Sequence, residues 1–192
     1  MLLLAVFLFV ALFRSSFAAV NANVNSWAVT IQTGSFTVIA KEIAVVFDTE
    51  SLLVISLAVA VVLFARHCRR GSVLLLGAMA GEALLAEVIQ TLVHSPRPTN
   101  MLVPTTGYSF PSGHVTASTV FFGILTYLAW QRCNSSKMRV AMGGLYAAVI
   151  ALVSFDRIYL NVHWFSDVLG GCLLGLFWLT FSLWVFKHVE KQ

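Results

Sequence analysis

The sequence predicts an all-α, polytopic membrane protein: a six-transmembrane-helix bundle with an interfacial amphipathic helix near the N-terminus. Two observations carry this. Hydrophobic residues make up 59% of the 192 and charged residues only 10%, against about 25% charged in soluble domains. The apolar residues also fall into runs that, with their flanks, approach the roughly 20 residues a spanning helix needs. Mean hydropathy is +0.87, and the length suits one domain over 1–192.

Met1 to Phe13 is apolar, and the run continues past Arg14 to Val20. The start carries no Lys or Arg, which argues against a cleaved signal peptide despite Ala18-Ala19; a retained first span is expected. Between Asn21 and Asp48, Trp27, Ile31, Phe36, Ile39, Ile43 and Phe47 recur at roughly helical spacing, the pattern of an interfacial helix. Ser51 to Ala65 is a second apolar run, closed by Arg66-His67-Cys68-Arg69-Arg70. Ser72 to Val93 is a third, interrupted by Glu82 and Glu87. His94 to Ser112 is a polar loop holding all four prolines. Val115 to Trp130 and Val140 to Phe155 follow as further spans, then a short polar turn over Asp156 to His163, then a last span from Trp164 to Phe186.

Net charge is +4, and its placement sets orientation. The clusters Arg66–Arg70, Arg132–Arg139 and Lys187–Lys191 follow spans two, four and six. By the positive-inside rule they face the cytoplasm, with the C-terminus. The loops His94–Ser112 and Asp156–His163 then share the outer face, where Arg97 and Arg157 stand against the rule. Cys68, Cys133 and Cys172 form neither a CxxC pair nor an even set and suggest no disulfide framework or zinc site. No nucleic-acid partner is expected, and oligomeric state is not legible.

The chain is organised around Tyr108-Ser109-Phe110-Pro111-Ser112-Gly113-His114. Pro111 suits the first position of a helix, Ser112 is a good cap residue, and Gly113 lets a ligand approach the backbone. A helix N-terminus so built attracts anions, phosphate above all; the plain alternative is a capping turn. The second loop adds Asp156, Arg157 and His163, with Asp167 four residues on. On a helix, His163 and Asp167 would share a face, and a carboxylate behind an imidazole fixes its tautomer and raises its basicity. Arg97 and Arg157 offer planar forks that match phosphate oxygens.

These residues resemble the type 2 phosphatidic acid phosphatase family of membrane lipid phosphatases. That pattern is Lys, six residues, Arg-Pro; then Pro-Ser-Gly-His; then Ser-Arg, five residues, His, three residues, Asp. Here it reads Gln90, six residues, Arg97-Pro98; Pro111 to His114; and Asp156-Arg157, five residues, His163, three residues, Asp167. Gln90 replaces a phosphate-binding Lys, and Asp156 replaces a Ser. The resemblance implies catalysis by His163, His114 and Asp167: His163 attacks phosphorus, Asp167 orients it, and His114 protonates the leaving oxygen. Arg97, Arg157, Ser112, Gly113 and, more weakly, Gln90 would hold the phosphate. It implies no metal and no cofactor, and a membrane phospholipid or polyprenyl phosphate as substrate. The rival readings are a metal site built on His114, His163 and Asp167, a lipid phosphotransferase, and a transporter whose polar residues line a path.

Overall fold

The structure, a computed structural model, describes residues 1–189; Glu190 to Gln192, with Lys191 of the third basic cluster, lie outside the described residues. The described residues form eight α-helices: α1 (Leu2–Leu12), α2 (Ala18–Thr30), α3 (Gly34–Val46), α4 (Thr49–Ala65), α5 (Arg69–Val93), α6 (Gly113–Arg132), α7 (Ser136–Tyr159) and α8 (Phe165–Val189). Helices α5, α7 and α8 are each long and apolar enough to cross a membrane, and so is each of two bent pairs, α1 with α2 and α3 with α4. That gives up to five spans by length and composition among the described residues, and α6, too polar to count by that measure, runs buried among them.

Helix α6 is the central one. Every residue from Val115 to Phe121 is buried, so neighbouring helices rather than lipid surround it. That is why it can carry Thr116, Ser118 and Thr119 at membrane depth: Thr116 and Thr119 return their hydroxyls to the carbonyls of Ser112 and Val115. Its closest partner is α8, where Gly171 and Gly175 stand four apart. A Cβ on Gly171 would lie 2.8 Å from the Ser112 carbonyl oxygen, and one on Gly175 would lie 2.6 Å from Thr119 Cβ. Small residues at this spacing let two membrane helices touch backbone to backbone.

Two expectations for the N-terminal third are corrected. The first span is not one helix over 1–20. It breaks at a short 3₁₀ turn, Arg14–Phe17, and the two arms meet at 76°. Arg14 explains the break: its Nε donates to the Ala11 carbonyl and its guanidinium lies over the Phe110 ring, 5.3 Å from the centroid. The single amphipathic helix expected over 21–48 is instead α2 and α3, parted at Gln32-Thr33. Thr33 caps α3 by accepting from Phe36 N, and Gln32 Nε2 donates to the Tyr159 carbonyl at 2.8 Å.

Helix α1 packs into the bundle. Phe7 stacks on Phe110 at 5.7 Å between centroids, and with Val10 and Leu174 they form one apolar cluster. Helix α2 is tied across the α7–α8 connection. Asn21 exchanges two hydrogen bonds with Ser166, and Asn25 Nδ2 donates to Asn161 Oδ1 at 2.9 Å.

The chain alternates direction, so the ends sort into two sets. The Arg66–Arg70 and Arg132–Arg139 clusters meet at one end, where a Cβ on Gly71 would contact Leu128 and Lys187 Nζ lies over the Tyr127 ring. The loops carrying the motif residues occupy the other end.

Candidate active site

Two connections and the end of one helix converge at that end. The α5–α6 loop brings Arg97 and the Ser109–Ser112 stretch, the end of α7 brings Asp156 and Arg157, and the α7–α8 turn brings His163. Backbone bonds fasten them: Ser109 N donates to Ser95 O at 2.9 Å, Leu102 N to Leu160 O at 3.0 Å, and Ser112 N to Asp167 O at 3.1 Å.

The imidazole of His163 is buried, 4% exposed. Its Nδ1 lies 2.8 Å from the Ser109 carbonyl oxygen. A carbonyl only accepts, so Nδ1 carries the hydrogen and the lone pair is on Nε2. Nε2 lies 3.3 Å from Arg97 Nη1. Asp167 is further from Nδ1 than expected, at 3.7 Å, because His163 precedes α8 rather than lying on it. The Asp167 carboxylate instead accepts from Trp164 N at 2.8 Å at the start of α8. Burial lowers the His163 pKa from its ordinary value; nearby Asp167 opposes the shift, and Arg97 and Arg157 reinforce it.

Arg97 is held by the loop around it. Nε donates to Gly107 O, Nη1 to Val162 O, and Nη2 to Thr106 O and Tyr108 O. Gly107 takes a φ of +76° to present its carbonyl, a conformation open to glycine. Asp156 and Arg157 are not in a turn, as expected, but in the last buried turn of α7. There Nε and Nη2 of Arg157 both donate to Asp156 Oδ2, and this pairing is what permits both charges to be buried. Nη1 of Arg157 keeps no hydrogen-bond partner among the described residues.

Ser112 is the N-cap of α6, and Pro111 lies before the cap rather than at the first helical position. The Ser112 hydroxyl makes no capping bond; it is fully buried with no partner among the described residues. Gln90 Nε2 donates to the Pro111 carbonyl at 3.0 Å, so it braces the loop from α5. The imidazole of His114 has Arg157, His163 and Arg97 near enough to act on it electrostatically. Its Nε2 faces the α3–α4 corner, 3.1 Å from Ala44 O and 3.3 Å from Asp48 Oδ1.

Sequence reasoning missed the Ser109 carbonyl, because main-chain groups leave no residue signature. It also missed Asp48. Asp48-Thr49-Glu50 before an apolar run marks a helix start, but no local signal shows that its carboxylate reaches His114. Glu82 is buried in α5 with neither carboxylate oxygen paired among the described residues, whereas Glu87 is on an exposed face.

Fold and site together define a helical membrane protein with two imidazoles and two guanidinium groups gathered at one end of the bundle. Residues 71–191 match the PAP2 superfamily, and the chain belongs to it. Among curated proteins, it is 34% identical over 129 residues to an undecaprenyl-diphosphatase of Sulfolobus acidocaldarius, covering 64% of this chain and 58% of that one. It is 35% identical over 97 residues to phosphatidylglycerophosphatase B of Bacillus subtilis, covering 50% and 48%. The chain thus spans about half the length of the curated relatives it matches. Among solved structures, a PAP2-type phosphatidylglycerolphosphate phosphatase of Bacillus subtilis superposes with a TM-score of 0.83 at 24% identity, covering 97% of this chain and 95% of that one. LpxE of Aquifex aeolicus superposes with a TM-score of 0.67 at 22% identity, covering 85% and 94%. These two likenesses concern the fold.

Proposed function

We propose that the protein is a lipid phosphatase. It removes a phosphate monoester, or the terminal phosphate of a diphosphate, from polyprenyl diphosphate, phosphatidic acid or phosphatidylglycerol phosphate, without metal and through a phospho-histidine. The relatives named above support the substrate class. The observation that carries the chemistry is the His163 ring, whose Nδ1 hydrogen is committed to Ser109 O while the Nε2 lone pair lies beside Arg97.

The reaction has two halves. His163 Nε2 bonds to phosphorus as the bond to the leaving oxygen breaks, and that oxygen takes a proton from His114. Water then attacks phosphorus, gives a proton to His114, and returns the bonding pair to Nε2 as inorganic phosphate leaves. Asp167 steadies the positive charge on His163. Arg157 Nη1, the Ser112 hydroxyl and the Gly113 N–H hold phosphate oxygens. Arg97 sets the edge of the cradle and Gln90 shapes it through Pro111. Phosphoryl transfer needs positioning and charge stabilisation above all. By the placement of basic clusters, the site opens on the extracytoplasmic side.

The test is phosphate release from those lipids by purified protein in detergent, with and without chelator. Release that survives chelation and is absent in His163→Ala supports the reading. Release that chelation stops and zinc restores favours the metal alternative. Turnover by His163→Ala rejects the nucleophile.

A further inference from the structure

The α3–α4 corner lies outside the stretch 71–191 that matches the family, yet it brings a carboxylate to the candidate site. Asp48 Oδ1 and the Ala44 carbonyl both face His114 Nε2, at 3.3 and 3.1 Å. Because a carbonyl only accepts, Nε2 carries a hydrogen. The ring nitrogen left for chemistry is therefore Nδ1, which has no hydrogen-bond partner among the described residues.

The corner is seated firmly enough to aim this contact. Asp48 Oδ2 accepts from Glu50 N at 3.2 Å and caps α4. Phe47 packs on Phe122 at 5.8 Å between centroids and joins the Val115, Val153 and Val168 cluster. Thr49 Oγ1 would lie 3.1 Å from a Cβ on Gly113, so the corner rests directly on the start of α6. The carboxylate is divided, one oxygen on its own helix and the other on the imidazole of the next layer.

We infer that Asp48 is a positioning residue for His114: it holds the ring by Nε2 and sustains the positive charge that the ring carries before it gives up the Nδ1 proton. This rests on the reading of His114 as proton donor. As the His163 Nε2–phosphorus bond forms, the electron pair of the breaking P–O bond goes to the leaving oxygen. That oxygen takes the Nδ1 proton, while the Nε2 hydrogen stays toward Asp48. In the second half the attacking water returns a proton to Nδ1. Burial is the first thing that disfavours a charged His114, and Arg157, His163 and Arg97 add to it. Each of the three disfavours a second positive charge when protonated, so a carboxylate behind the ring offsets them.

The experiment compares Asp48→Asn and Asp48→Ser with the parent on two substrates. Both replacements keep an oxygen able to cap α4, and both remove the charge. An alkyl phosphate needs its leaving oxygen protonated, whereas p-nitrophenyl phosphate does not. A general acid contributes about 10² to 10⁴; Asp48 variants should lose roughly tenfold or more in kcat/KM on the alkyl phosphate and under about threefold on the aryl one. Equal losses on both substrates, or no loss on either, overturn the inference. If Asp48→Asn is not recovered folded, Asp48→Ser carries the comparison. His114→Ala separates the two levels. Should it lack the same selectivity, the proton-donor reading falls; should it show selectivity that the Asp48 variants lack, only the role of Asp48 falls.

Discussion

His163 Nδ1 donates to the main-chain carbonyl of Ser109 at 2.8 Å. The ring is therefore oriented by the loop before α6, and the carboxylate of Asp167, at 3.7 Å, is left to act through charge. His163→Ala should abolish turnover while the protein remains folded. Asp167→Asn keeps an acceptor for Trp164 N and should lose roughly 10- to 100-fold in kcat, which is about 1.4 to 2.7 kcal/mol. Phosphate release and thermal melting in detergent measure both. A loss in Asp167→Asn equal to that in His163→Ala would show that the carboxylate, not the carbonyl, sets the ring.

Burial lowers the His163 pKa, and the neutral ring is the form that attacks. The acid limb of kcat/KM should therefore fall below the ordinary histidine value of about 6.5. The stability consequence has a definite sign. Between the folded and unfolded pKa values the unfolded chain binds more protons, so stability rises with pH there. Its contribution is complete above about 6.5 and is lost as pH falls below that value. His163→Gln should flatten this part of the melting-temperature profile.

The Asp156–Arg157 pair makes a separate prediction. Replacing Asp156 with Ser leaves a buried guanidinium without its carboxylate, at a cost of about 3 to 5 kcal/mol when one partner of such a pair is removed. The freed donors should then bind anion more tightly. Melting of Asp156→Ser should be lower than that of the parent and should recover more on adding inorganic phosphate, since a ligand stabilises the state that binds it.

Gly171 is predicted to be intolerant. A Cβ there would lie 2.8 Å from the Ser112 carbonyl oxygen, and main chain cannot swing aside as a side chain can. Gly171→Ala should displace the Ser112 cradle and lower kcat by roughly 10²-fold, the scale of a 1 Å misplacement. Gly77 and Gly144 have nothing within 4 Å of an added Cβ. Gly77→Ala and Gly144→Ala should leave activity intact and gain about 0.5 to 1 kcal/mol of helix stability.

The helical membrane fold was legible because spacing and composition act locally, and so were the motif residues that two connections and the end of α7 bring to one end. Breaks within the N-terminal third were not. Arg14 reads as a passing charge in an apolar run, and its seat over Phe110 depends on a residue far along the chain. Asp156 and Arg157 read as a polar turn because charge usually ends a span; mutual pairing lets α7 carry both as buried residues. The role of Gln90 in bracing Pro111 and the reach of Asp48 to His114 both depend on tertiary contact, which no sequence window contains.

The clasp between Asn21 and Ser166, together with the Phe7–Phe110 stack, ties the family-matched stretch to the N-terminal arm. Joining the first 70 residues of one relative to the remainder of another would combine an N-terminal arm and a motif loop that had never been fitted to each other. Such hybrids should insert into the membrane yet work poorly, and compensating changes should gather at the two ends of those contacts.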